Sequence, residues 1–166
     1  MTGNVLTFRE LLDYTRGEAE HWHRWLASQP AAVLDLPAGT GRTATVRGLI
    51  HHIIVVERRY VDRLRGEPVT AYEDLPQDSL DTLFTAFAEA RARLDAWLAS
   101  ASEADLARRL EFQTISAGTL HASARKIVAH LLLHGVRHWA QLATLLRQHG
   151  YTTDWMHDIL MSDALE

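Results

Sequence analysis

The chain's four prolines, Pro30, Pro37, Pro68 and Pro76, all fall in two short stretches, 30–43 and 67–78, so the rest of the chain is free of the residue that most reliably ends a helix. Several glycines, Asp and Thr gather in the same two stretches, which therefore read as loops. Between and beyond them run long segments of helix-forming residues, at 7–28, 44–66, 79–100 and 121–149. Residues 102–120 make a polar connection ahead of the last segment, with Phe112–Ile115 as a short extended piece. Asp78 and Ser79 offer N-cap chemistry to the third segment, and Gly150 stands where the fourth should stop.

Helical phase assigns each segment an inward face. In the first the stripe is Phe8, Leu12, Thr15, Ala19, Trp22 and Leu26; in the second, Val46, Leu49, Ile53, Val56, Tyr60 and Leu64; in the third, Leu80, Phe84, Phe87, Leu94 and Leu98. Four amphipathic helices, each ~30–40 Å long at ~1.5 Å per residue, have one economical arrangement, with the stripes buried against one another. The expected fold is all-α, a four-helix bundle forming one domain over residues 1–166. The long connection between helices three and four can cross the bundle end, so simple up-and-down order does not follow. A composition of 47% hydrophobic and 23% charged residues suits a single globular domain.

Ten histidines and no cysteine stand out against that background. Without thiolates, disulfides, Fe–S clusters and thiol nucleophiles are excluded, and any metal site must use nitrogen and oxygen donors. In the fourth segment, with Ile127 at zero phase, His134 and His138 fall at the centre of the apolar stripe beside Leu131, Leu142 and Leu145, and His130 falls at its edge. Two imidazoles one turn apart in a core can chelate one cation; buried without partners they would each cost a few kcal/mol. The second segment offers His51 and His52. His51 shares the polar side with Arg47, Arg58, Asp62 and Arg65, whereas His52 lies at the core margin near Val56 and is the expected third ligand. Three neutral imidazoles plus water would make an open site of the catalytic zinc kind, and nickel, iron or manganese also fit that donor set. Core histidines bonded to carbonyls fit the same spacing. A ferritin-like di-iron site does not, because residues 121–149 hold no carboxylate and Glu18 and His21 phase away from the core. A zincin protease is excluded by Gly135, which follows the first His where a Glu is needed.

The block HLLLHGVRHWAQLATLLRQHG, preceded by LIHHIIVVERRYVDRLRGEP, resembles the DinB-like (damage-inducible) family over most of the chain. The carriers are a His followed five residues later by Glu, here His52 and Glu57, and an H-x-x-x-H-x-x-Q block, here His134, His138 and Gln141. The resemblance implies a four-helix bundle with a three-histidine metal site on the residues that phase had selected. Many members carry Arg-Gly before the Gln where this chain has Trp139 and Ala140, which leaves the ligands untouched. Some place an acidic residue at Gly135, so its absence would remove a polar neighbour of the metal. Related members include mycothiol-dependent maleylpyruvate isomerase and bacillithiol transferases, in which the metal activates a low-molecular-weight thiol. Homodimers are also implied.

Two functional readings follow. In the first the protein is a metal-dependent transferase or hydrolase acting on a small molecule, with His52, His134 and His138 holding a divalent cation, zinc or nickel foremost, and a thiol or water as the activated group. Glu57 and Gln141 are weak candidates for orienting a ligand imidazole, and each is equally an ordinary polar residue at the bundle margin. In the second the bundle is a non-catalytic module with a structural metal or a sensing pocket, for which His23 is a conceivable fourth ligand. Other features have plainer readings. Trp22 phases inward, while Trp25 and Trp139 phase outward and would mark a dimer surface. Arg58, Arg59, Arg63 and Arg65, interleaved with Glu57, Asp62 and Glu67, read as a solvated face in preference to a phosphate site. The tail should pack Trp155, Met156, Ile159 and Leu160 across the bundle and so cover a pocket. A net charge of −4 argues against nucleic acid as a partner, and no apolar run reaches the ~18–20 residues of a membrane helix. Met1 to Glu10 show no leader pattern, so a cytoplasmic location is expected.

Overall fold

The computed structural model describes residues 6–114 and 117–165; Met1 to Val5 of the segment read for a leader, and Ile115 of the extended piece, lie outside these. Among the described residues there are five α-helices, four of them long: α1 (Phe8–Ser28), α2 (Val46–Arg65), α3 (Leu80–Ser100), the short α4 (Glu103–Ala107) and α5 (Ala124–Gln148). An antiparallel hairpin of β1 (Arg109–Thr114) and β2 (Gly118–Ser123), in register from Arg109 opposite Ser123 to Thr114 opposite Gly118, fills the connection before α5. The last helix thus begins at Ala124, three residues later than its sequence pattern predicts, because Ser123 caps it by accepting from the Lys126 N–H at 3.2 Å.

Local chemistry sets the other ends. Thr7 and Glu10 form a capping box at α1, Thr45 caps α2 through the Gly48 N–H, and Ser79 caps α3 through the Thr82 N–H. Gly66 ends α2 in the left-handed region at φ 70°, which its missing side chain permits. Helix α2 packs against α3 and α5, and α1 packs against the same two. The ring order is therefore α1, α3, α2, α5, with α1 and α2 across one diagonal, so the chain is not a simple up-and-down bundle.

The predicted stripes are the core, apart from partly exposed Phe8, Leu80 and Leu98 at helix ends, Val56 and Tyr60 on α2, and His134 and Leu145 on α5. One apolar cluster gathers Trp22, Leu49, Phe84 and Trp139; a second gathers Leu12, Leu64, Leu94 and Val128. Along each long helix a polar or small residue falls between the two: Thr15, Glu57, Arg91 and Gly135. Arg91 and Glu57 form a buried ion pair, in which Nη2 donates to Oε2 at 2.7 Å and Nε lies 2.5 Å from Oε1, with both side chains 2% exposed, and Arg91 also donates to the Thr15 hydroxyl.

Several outward assignments are corrected. Trp139 is 1% and Trp25 7% exposed, so neither marks a surface; Trp139 stacks on Trp22 with centroids 5.7 Å apart. Glu18 is buried rather than turned to solvent, because the tail closes over it: its carboxylate accepts from Trp155 Nε1 at 3.0 Å and meets His157 Nδ1. The tail lies along α1 through Trp155, which packs edge-on against Trp22, while Met156 and Leu160 are 63% and 84% exposed. Its predicted role as a cover is not seen, since no described tail residue lines the cavity described next.

Candidate metal centre

Helices α2 and α5 pack side by side, and their facing residues include His52 from one and His134 and His138 from the other. The four-residue spacing on α5 stacks its two imidazoles one turn apart, with ring centroids separated by 4.4 Å; His52 lies 5.2 Å from His134 and 5.0 Å from His138. One nitrogen from each ring lies within 4.8 Å of the other two, close enough to hold a single metal ion. Among the described residues no carboxylate belongs to this group.

Burial governs the protonation of the three rings. Removal from water, and then the charge of neighbouring His138, lower the His52 pKa to about 4, and the same causes take His134 to about 2. Burial lowers His138 too, opposed by its hydrogen bond to Gln141. All three are neutral at pH 7, the form in which an imidazole can ligate. The Gln141 amide oxygen accepts from His138 Nδ1 at 2.9 Å, which fixes the tautomer and leaves the lone pair on Nε2, where Arg137 Nη2 donates to it at 3.3 Å. The Tyr72 hydroxyl lies 3.5 Å from His52 Nδ1.

The histidines line one wall of a cavity of about 650 Å³ enclosed by α2, α5, the loop at 40–43 and the hairpin. The loop is held close by Gly48, where a Cβ would stand 2.5 Å from the Arg42 carbonyl oxygen. That contact brings Arg42 to the cavity rim, where its guanidinium lies 4.8 Å from the Tyr72 ring.

The remaining sequence candidates fall elsewhere. Glu57 is engaged by Arg91 in the core, and burial pushes its carboxyl up while Arg91 opposes the shift. His51, placed by phase on the polar side, is 4% exposed: the 67–78 loop crosses over it, and its Nε2 donates to the Leu75 carbonyl at 2.9 Å. His23 pairs with Asp81 at 3.0 Å and stacks on Phe84, apart from the three. His130 is exposed at the cavity edge, as its phase indicated. A Cβ at Gly135 would face Arg91 Nη2 and Trp139 Nε1, each at 3.9 Å, so an acid there would address the buried ion pair instead of the histidines.

Sequence reasoning missed Tyr72, Arg42 and Arg137 and read Arg59 and Arg63 as part of a solvated face, although for the last two a signal was available. Arg59 and Arg63 stand seven and eleven residues after His52, which returns both to its face of the helix. Half of the predicted solvated cluster therefore looks into the cavity. Among curated proteins nothing matches the chain. The model of the DinB family matches residues 1–164.

Proposed function

The chain belongs to the DinB family, and on that premise we propose that it is a metal-dependent transferase or hydrolase acting on a small molecule, with a low-molecular-weight thiol as cosubstrate. His52, His134 and His138 would hold one divalent cation, zinc or nickel foremost, with iron or manganese also suited to the donors. The observation that carries the reading is the convergence of three neutral imidazole nitrogens within 4.8 Å at a cavity wall. When bound, the cation supplies Lewis-acid chemistry, lowering the pKa of a thiol or water so that a nucleophile is available near neutral pH.

The chain's own residues do the rest. Burial keeps the rings unprotonated, and Gln141 holds His138 in the tautomer whose lone pair is on Nε2. The cavity, at about 650 Å³, has the size of a small-molecule site. Because the chain has no cysteine, an external thiol would have no competitor from the protein. Three ligands favour an open, reactive position over the closed set of four typical of a structural ion. The reading also takes the working unit to be a cytoplasmic homodimer, to be checked by sedimentation of the native protein.

The direct test is turnover by metal-loaded protein with paired thiols and electrophiles. Metal-dependent turnover that disappears in His134→Ala is expected. No turnover with any pair, together with a His134→Ala variant altered only in stability, would leave the non-catalytic module as the function.

A further inference from the structure

The cavity beside the histidines has a charge opposite to that of the chain. The protein carries −4 overall, yet Arg42, Arg59, Arg63 and Arg137 line the cavity and, among the described residues, no Asp or Glu does. Arg59 and Arg63 sit one turn apart on the His52 face of α2. Their neighbours on the other face are neutralised, Arg58 by Glu89 at 3.3 Å and Arg65 by Glu67 at 2.6 Å.

Among the described residues, Arg59, Arg63 and Arg137 have no carboxylate partner. Arg59 donates to the Thr70 carbonyl at 2.5 Å. Arg63 donates to the carbonyls of Arg59 at 3.1 Å and Gln113 at 3.0 Å, and it lies 5.2 Å from the Tyr60 ring and 5.1 Å from that of Phe112. These contacts fix the two guanidinium groups in place without cancelling their charge. The cost is visible at Arg63, whose pKa is drawn below its ordinary value by burial and then by the charge of Arg59. Two like charges held together in a half-buried wall are relieved by an anion, and a guanidinium's planar fork matches the two oxygens of a carboxylate or phosphate. Val56 and Leu120 leave room beside them for an apolar body.

We propose that the cavity takes a small anionic substrate or cosubstrate whose carboxylate or phosphate group is bound by Arg59 and Arg63 while its reacting end faces the three histidines. The assignment of the reacting end rests on the metal reading above; the anion site does not.

The test is calorimetric titration of zinc-reconstituted protein with succinate, inorganic phosphate and uncharged succinamide, with metal content measured on the same samples. Saturable binding of succinate or phosphate is expected, with the tighter of the two naming the group. Succinamide should bind at least tenfold more weakly in the wild type, an arm that needs no variant to fold. The dissociation constant should rise at least tenfold in Arg59→Gln/Arg63→Gln, and stay within twofold of wild type in Arg58→Gln. Anion binding that persists in His134→Ala and depends on the two arginines would support the site even if no metal were taken up. Binding of succinamide as tight as succinate, binding of neither anion, or anion binding that is lost in His134→Ala but unchanged in the double arginine variant would overturn it.

Discussion

Burial, by holding His52 near pKa 4 and His134 near pKa 2 against about 6.5 in an unfolded chain, ties the stability of the metal-free protein to pH. Between about pH 6.5 and 4 the unfolded chain binds protons that the folded one refuses, so stability rises with pH across that window. The contribution is complete above the unfolded value and is lost progressively as pH falls, down to about 4 for His52 and about 2 for His134. Thermal unfolding of metal-free protein should therefore show a melting temperature that drops on acidification from pH 7 to 4.5, and His134→Ala should flatten that slope. Gln141 allows a second check at this scale. It holds the His138 tautomer and touches nothing else in the group, so Gln141→Ala should weaken metal affinity by roughly 10–100-fold, read by competition with a chelator, with the helical circular dichroism unchanged. The three histidines were legible because phase and spacing depend on the helix alone. His51 was not: its burial comes from Leu75 on a loop 24 residues away, which no periodicity within α2 can register.

At the scale of elements, α2 departs most from its sequence pattern. An amphipathic reading gives it one buried stripe, yet Ile50, Ile54, Val55 and Asp62 are buried as well, because both proline-bearing loops wrap over the helix. Asp62, for example, accepts from the Thr70 N–H at 2.9 Å. The polar layer between the two apolar clusters was equally invisible, since Glu57 and Arg91 look like surface charges until the helices are placed together. Breaking such a pair is costlier than replacing it. Arg91→Met strands a carboxyl that is 2% exposed and should destabilise the fold by about 3–5 kcal/mol, whereas Glu57→Met/Arg91→Met should recover most of that loss, as measured by urea unfolding. An Arg91→Met variant as stable as wild type would mean that the pair contributes little to holding α2 against α3.

For the whole molecule, the bundle was readable from four stripes and two proline clusters, but the order of its helices was not. The 29–45 and 101–123 connections each carry the chain across a diagonal, and that choice depends on surfaces that meet only after folding. The diagonal order sets α2 against α5 and so brings a histidine from the first half of the chain to a pair from the second. The tail follows the same logic at smaller scale: Glu18 and Trp155, 137 residues apart in sequence, meet on α1. The central claim is that this assembly exists to hold a cation between α2 and α5. It is tested most directly by elemental analysis of untagged protein by inductively coupled plasma mass spectrometry, alongside His52→Ala and His134→Ala. Close to one equivalent of a divalent metal per chain in the wild type, lost in both variants, is the expected result. No metal in the wild type even after reconstitution, or full occupancy in both variants, would contradict the claim and leave the three histidines as residues of the cavity wall.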